Sequence, residues 1–175
     1  MSGSSAQTWS YAGLTLLNTL TANSSSSLDD TTSITSAYDA YMICLENIIT
    51  SASAVLYLRP HQSGSFLSAN FVNSAGYSIS SGTITAFSAT AGYELIAGGA
   101  NANGLSGSLL WQNPNSSNKK AMTGQLTNLT ALGVTGLFVF GQYTNNANAF
   151  DGIQLIPASG NIVSGKMRIY GIKTS

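Results

Sequence analysis

Ser36–Pro60 reads SAYDAYMICLENIITSASAVLYLRP, and the period of its apolar residues decides the fold class. Between Tyr38 and Asn47, the residues Tyr41, Ile43 and Leu45 fall on one side of a two-residue repeat. Tyr38, Ala40, Met42 and Cys44 fall on the other. Successive side chains of a strand point to opposite faces, so neither face here is plainly polar. An inner strand with protein on both sides is predicted. The pattern breaks at Thr50-Ser51-Ala52-Ser53 and resumes over Val55–Arg59. Pro60, which has no N–H for a ladder, is expected to stop it. The stretch therefore predicts two neighbouring strands, a hairpin at the heart of a sheet.

Working outward, a small polar arm over residues 1–8 precedes a first strand within Trp9–Leu20, and Leu28–Thr35 leads into the central pair. His61–Ala75 alternates weakly and is expected to be an excursion at the sheet edge with room for a helical turn. Further strands are predicted at Tyr77–Phe87, Tyr93–Ala97, Leu105–Gln112, Lys119–Leu126 and Val134–Tyr143. A last pair follows at Phe150–Pro157 and Ser164–Lys173. The separators are rich in Gly, Asn and Ser, each suited to turns, and Asn113-Pro114-Asn115-Ser116-Ser117-Asn118 is the plainest of them. Many short strands without a long amphipathic helix point to an all-β fold, an antiparallel β-sandwich of jelly-roll type. A single domain over 9–175 with a flexible arm over 1–8 is expected.

Composition narrows function. Hydrophobic residues make up 43% of the 175, but charged residues only 7%, against about 25% in a typical soluble protein. Ser, Thr, Asn and Gly replace the charge. Six basic and six acidic residues give zero formal net charge, so no basic stripe is available to neutralise phosphates, and nucleic acid is not an expected partner. A neutral surface gives copies little reason to repel one another. The longest apolar run, Ala131–Gly141, is too short to cross a bilayer as a helix. Met1–Tyr11 has neither the basic start nor the apolar core of a secretory signal, so neither a membrane partner nor secretion is expected.

The residues that carry chemistry are few. His61 is the sole histidine and Cys44 the sole cysteine, which leaves no set for zinc and no intramolecular disulfide. His61 reads as an exposed loop histidine after Pro60, and Cys44 as a buried thiol in an apolar strand. The carboxylates Asp29, Asp30, Asp39, Glu46, Glu94 and Asp151 could supply a glycosidase pair in principle. Placement in turns and at strand starts is the reading favoured here. Gly160-Asn161-Ile162-Val163-Ser164-Gly165-Lys166 matches a phosphate-loop spacing, but Met167 follows where Ser or Thr is needed, and a strand follows where a helix is needed. A glycine-bounded hairpin turn is expected there instead. Trp9, Trp111, Tyr77, Tyr93 and Tyr143 could stack on sugars if exposed, though aromatics in strands are more often core. The sequence thus offers no catalytic, cofactor-binding or metal-ligating set, and no enzymatic activity is expected.

Two segments carry a family resemblance. Ser36-Ala37-Tyr38-Asp39-Ala40-Tyr41, leading into a strand that ends Glu46-Asn47-Ile48, resembles the YDxY…xxxNI segment of small β-sandwich structural proteins of tailed bacteriophages. Val55–Arg59 stands where that family has a strand of the form L-x-L-R. Gly152–Pro157 followed by Ser164–Lys173 resembles its closing pair, often ending S-G-x-[IM]-R-[LIV]-Y-G-[IL]. These segments cover well under half of the chain. The resemblance implies a jelly-roll-like sandwich in a virion, made in the host cytoplasm and usually trimeric. Such domains serve as head decoration or cement proteins, head fibres, or tips of tail fibres. No heptad run or β-helical shaft precedes the domain, which favours a decoration protein whose partners are further copies of itself and the major capsid protein or another virion protein. The alternative is a receptor-binding tip that recognises host surface glycans.

Overall fold

A computed structural model describes residues 13–78, 84–89, 91–96, 104–117, 120–130, 133–143 and 148–173, and among them places thirteen strands and no helix. The larger sheet runs, across its width, β1 (Leu14–Thr21), β13 (Ile162–Ile172), β3 (Ala40–Thr50), β9 (Leu105–Gln112), β10 (Lys120–Thr130), β11 (Gly133–Tyr143), β6 (Phe71–Ser78) and β7 (Ile84–Ala89). The smaller sheet runs β2 (Leu28–Asp30), β12 (Gly152–Pro157) and β4 (Leu56–Gln62). The far edge of β4 is shared by β8 (Tyr93–Ile96) and β5 (Ser65–Phe66). Every pairing is antiparallel. The predicted all-β antiparallel sandwich is what the chain forms.

The topology is that of a jelly roll. Strands β1, β2, β3, β4, β8, β9, β12 and β13 form two four-stranded layers, β1-β13-β3-β9 and β2-β12-β4-β8. The chain wraps between those layers as a double Greek key. The segment with β5, β6 and β7 is inserted before β8, and β10 with β11 follows β9. Four of these inserted strands, β10, β11, β6 and β7, widen the larger sheet.

The wrapping corrects three expectations. Strands β3 and β4 are not a hairpin: they lie in different sheets, because residues 51–55 cross from one layer to the other at the end of the sandwich. The last pair, β12 and β13, is split between layers in the same way, so residues 158–161 form a crossing turn rather than a hairpin. Pro60 does not stop its strand, since β4 runs on to Gln62. On the β12 side Pro60 stands opposite Ile153. On its other side, its carbonyl accepts from the Leu67 N–H at 2.9 Å. The missing N–H of Pro60 faces the same way, into the gap between β8 and β5, where no ladder partner requires it.

Elsewhere the pattern locates strands well. Leu105–Gln112 matches β9, and Tyr93–Ile96 and Gly133–Tyr143 fall within a residue of their predicted ends. The Tyr77–Phe87 prediction straddles the end of β6 and most of β7, and His61–Ala75 contains strand rather than a helical turn. Trp9 and the arm over 1–8 lie outside the described residues.

Between the layers lies one core. Tyr41, Ile43 and Leu45 of β3 point into it, with Leu109 and Trp111 of β9 and Met167 and Ile169 of β13. Opposite stand Leu56 and Leu58 of β4 and Ile153 and Leu155 of β12. Each such side chain stabilises the fold by roughly 1.5–3 kcal/mol when fully buried.

Candidate functional site

Strands β3 and β13 are more than 100 residues apart in sequence and adjacent in space. β3 and β13 pair in register, with Ala40 opposite Ile172, Met42 opposite Tyr170 and Cys44 opposite Arg168. At one end the Asp39 N–H donates to the Ile172 carbonyl at 3.1 Å. There the ring of Tyr38 lies over Gly171, so close that a Cβ on that residue would sit 2.5 Å from the Tyr38 ring. Tyr38 meets Tyr41 edge-on at 5.9 Å. The Tyr41 hydroxyl accepts from the Thr35 N–H at 2.7 Å and donates to the Thr35 carbonyl at 2.5 Å. At the other end β13 bulges beside Ser164, and Gly165 adopts a φ of 115°. A Cβ there would lie 2.6 Å from the Asn47 carbonyl oxygen and 2.8 Å from the Ile48 Cα. Asn47 itself has a φ of 48°, and its N–H donates to Ser106 Oγ at 2.9 Å. Tyr38 with Gly171, and Asn47-Ile48 with Gly165, are thus two contacts of one interlock. These residues join β3 to β13.

The carboxylates divide among separate structural tasks. Asp30 is buried and accepts from Asn18 Nδ2 at 2.6 Å, Ser33 Oγ at 2.7 Å, and the N–H groups of Ser33 and Thr32 at 2.8 and 3.2 Å. It ties β1 to β2 and shapes the turn that follows. Asp29 accepts from Gln154 Nε2 at 2.9 Å. Glu46 pairs with Arg168 across β3 and β13. Glu94 is buried on β8, and burial raises its pKa. Among the described residues no group of three or more His, Cys, Asp and Glu side chains could hold a metal ion.

His61 is not an exposed loop residue. It stands in β4 with its side chain 12% exposed, bonds Asp151 Oδ1 through Nδ1 at 2.5 Å, and meets Phe66 edge-on. Further bonds brace the same end of the sandwich. Gln62 Nε2 donates to the Asn148 carbonyl at 3.0 Å, the Phe150 N–H to the Pro114 carbonyl at 3.1 Å, and Asn115 Nδ2 to the Thr35 carbonyl. Residues 31–39, 113–117 and 148–151 are therefore held as one rigid end. Beneath them Phe71, Tyr93, Trp111, Tyr143 and Phe150 form an aromatic cluster with centroids 5.0–6.4 Å apart. Burial pushes the Tyr93 hydroxyl well above the usual tyrosine range. Three of the five aromatics considered for sugar stacking, Trp111, Tyr93 and Tyr143, are consumed by this cluster and face no solvent.

Lys120 is the residue that sequence reading missed. It is fully buried at the inner end of β10, with Nζ 4.8 Å from the Phe150 ring centroid and no hydrogen-bond partner among the described residues. Burial lowers its pKa. Nothing in Lys119-Lys120 separates a buried lysine from a solvated one. Its register opposite Tyr143 decides the matter.

The outer faces of the two sheets differ in chemistry. Leu16, Tyr170, Met42 and Leu110 stand in one row across the larger sheet, and Leu14, Ile172, Ala40 and Gln112 in the next. Leu14 and Leu16 are 50% and 52% exposed, and Met42, Cys44, Leu110, Tyr170 and Ile172 are half-buried. Cys44 is therefore not the core thiol expected from its apolar neighbours. It shares the outward side with Met42, and partial burial raises its pKa. The charges near this face are the Glu46–Arg168 pair and Lys166. On the smaller sheet, Asp29, Arg59, His61 and Asp151 make the outward side polar, with Arg59 lying over the Tyr57 ring. No protein-family model matches the chain, and comparison with characterised proteins and with solved structures finds none similar to it.

Proposed function

We propose that this chain is a structural protein of a tailed-bacteriophage virion: a decoration protein that sits on the outer head surface as a homotrimer and stabilises contacts between capsomers. One observation carries the reading. Strands β3 and β13, from the two segments that resemble this family, are neighbours, and two glycines of β13 are covered from the β3 side, Gly171 by Tyr38 and Gly165 by Asn47-Ile48. Contact in the fold between residues so far apart in the chain supports reading the two segments as one unit. The jelly roll adds support at the level of fold, as an analogy, since this architecture is common in capsid proteins and also serves lectins and cupins. A decoration protein works mechanically, by burying area between neighbours, and the braced end at residues 31–39, 113–117 and 148–151 suits that task. The glycan-binding alternative loses support with Trp111, Tyr93 and Tyr143 in the core.

Reconstitution tests the reading. The purified chain is mixed with phage heads that lack it and centrifuged. Co-sedimentation that saturates at a fixed number of copies per head is the expected result. A chain that stays in the supernatant at every ratio would overturn the assignment.

A further inference from the structure

Among the described residues, β1 closes one edge of the larger sheet and pairs only with β13. Leu14 and Leu16 of this strand are 50% and 52% exposed. The strand carries no charged residue or proline, although natural edge strands usually carry such protection. Its backbone is open on the same edge. The Ile172 carbonyl accepts from the Asp39 N–H, on the β3 side of β13. Opposite residues of an antiparallel pair turn their N–H and C=O groups toward each other or both away. Leu14, opposite Ile172, therefore turns its own to the free edge. Leu16, two residues on and opposite Tyr170, does the same.

We propose that the partner of this edge is the chain's own segment over residues 7–11, folded back antiparallel onto β1 with Tyr11 opposite Leu14 and Trp9 opposite Leu16. Three observations select it. First, the described residues begin at Gly13, directly before β1. A two-residue connection through Ala12-Gly13, the commonest hairpin length, sets Tyr11 against Leu14. The pair that closes such a hairpin exchanges hydrogen bonds, and the open groups of Leu14 face the edge where that exchange takes place. Second, Trp9 and Tyr11 are the only large apolar side chains from Ser2 to Ala12, and one residue separates them. Residues so spaced share one side of a strand, and this register sets both beside the exposed leucines. They extend the row of Leu16, Tyr170, Met42 and Leu110 and the row of Leu14, Ile172 and Ala40. Third, residues 1–12 contain no charged side chain, so placing them on an apolar edge buries no charge. A segment tethered at Gly13 meets β1 at an effective concentration on the order of millimolar, ahead of any separate molecule. The segment completes the sheet and denies its edge to other chains.

Hydrogen exchange of the purified full chain, read amide by amide by NMR, tests the pairing. The Leu14 and Leu16 N–H groups are expected to exchange more slowly, by about tenfold or more, than in a Trp9→Ser/Tyr11→Ser double variant. The difference is expected to hold at every protein concentration. Exchange of the β3 and β13 amides is the internal check that the sandwich persists in the variant. A pair of cysteines fixes the register. In the proposed pairing Ser10 stands opposite Thr15 without hydrogen bonds between them, and the Cα atoms of such a pair lie about 4.5 Å apart, within reach of a disulfide. Ser10→Cys with Thr15→Cys, in a Cys44→Ser background, is expected to close a disulfide within one chain on mild oxidation. Ser10→Cys with Thr19→Cys, further along β1, is not. Equal exchange of the Leu14 and Leu16 amides in the wild type and the double variant would overturn the proposal, as would disulfides formed only between chains. Protection that appears only as concentration rises would assign the edge to a second copy and overturn it as well.

Discussion

Gly165→Ala probes the interlock of β3 and β13 most sharply. The new Cβ would lie 2.6 Å from the Asn47 carbonyl oxygen, 2.8 Å from the Ile48 Cα and 2.9 Å from the Asn47 carbonyl carbon. All three are backbone atoms of a central strand paired on both sides, so none can swing away. The φ of 115° adds strain, since L residues rarely adopt it. Overpacking typically costs about 1–3 kcal/mol, and a strained backbone adds about 1–3 kcal/mol. Together they span about 2–6 kcal/mol, and a loss of about 4 kcal/mol, the middle of that range, lowers the unfolding temperature of a domain of this size by about 8–16 °C. Gly171→Ala is the internal control. Its Cβ would meet the Tyr38 ring, a half-buried side chain able to turn outward, so the expected cost is about 1 kcal/mol, near the value of one aromatic contact. Urea denaturation of both variants, with matched slopes, measures the two numbers. If Gly165→Ala lies within about 0.5 kcal/mol of wild type, or if Gly171→Ala is clearly the more damaging, the interlock does not hold the strands as argued.

Lys120→Met is expected to stabilise the protein by about 1 kcal/mol at neutral pH. It removes a buried ammonium without a hydrogen bond, against a cation–π contact of comparable size. Because burial lowers the Lys120 pKa, the unfolded chain holds this proton to higher pH than the folded one. Wild-type stability therefore gains as pH rises toward 10.5, and the advantage of Met should shrink, which thermal unfolding from pH 7 to 10 would reveal. Asp30→Ala leaves Asn18, Ser33 and Thr32 donors without their acceptor and should cost about 3 kcal/mol, with Asp30→Asn recovering part of it in the same urea assay. The His61–Asp151 pair has one half-exposed partner, so a double-mutant cycle should give a coupling of no more than about 1 kcal/mol. A coupling above about 3 kcal/mol would mean that the pair is buried by something further.

The alternation in Ser36–Pro60 made the strands and the fold class legible, because a period of two is a local property. Which sheet each strand joins is not local. β3 and β4 look like a hairpin in sequence, and only the neighbours β13 and β12, more than 90 residues later, separate them. Pro60 was misread for a related reason: whether a missing N–H matters depends on which edge it faces. That misreading carried His61 with it into a loop, while its partner Asp151 lies 90 residues away. Cys44 and Lys120 show the limit of composition. An apolar neighbourhood did not make the thiol core, and a lysine pair after a turn did not make the lysine solvated. Both outcomes follow from the side of the strand on which the residue falls.

The most direct test of the functional reading is immunogold labelling of intact particles with an antibody raised against the folded chain. Label distributed over the head is the predicted result, and the spacing of the label would then show which symmetry positions the protein occupies. Label confined to the tail tip, or particles that carry none at all, would contradict a decoration protein of the head.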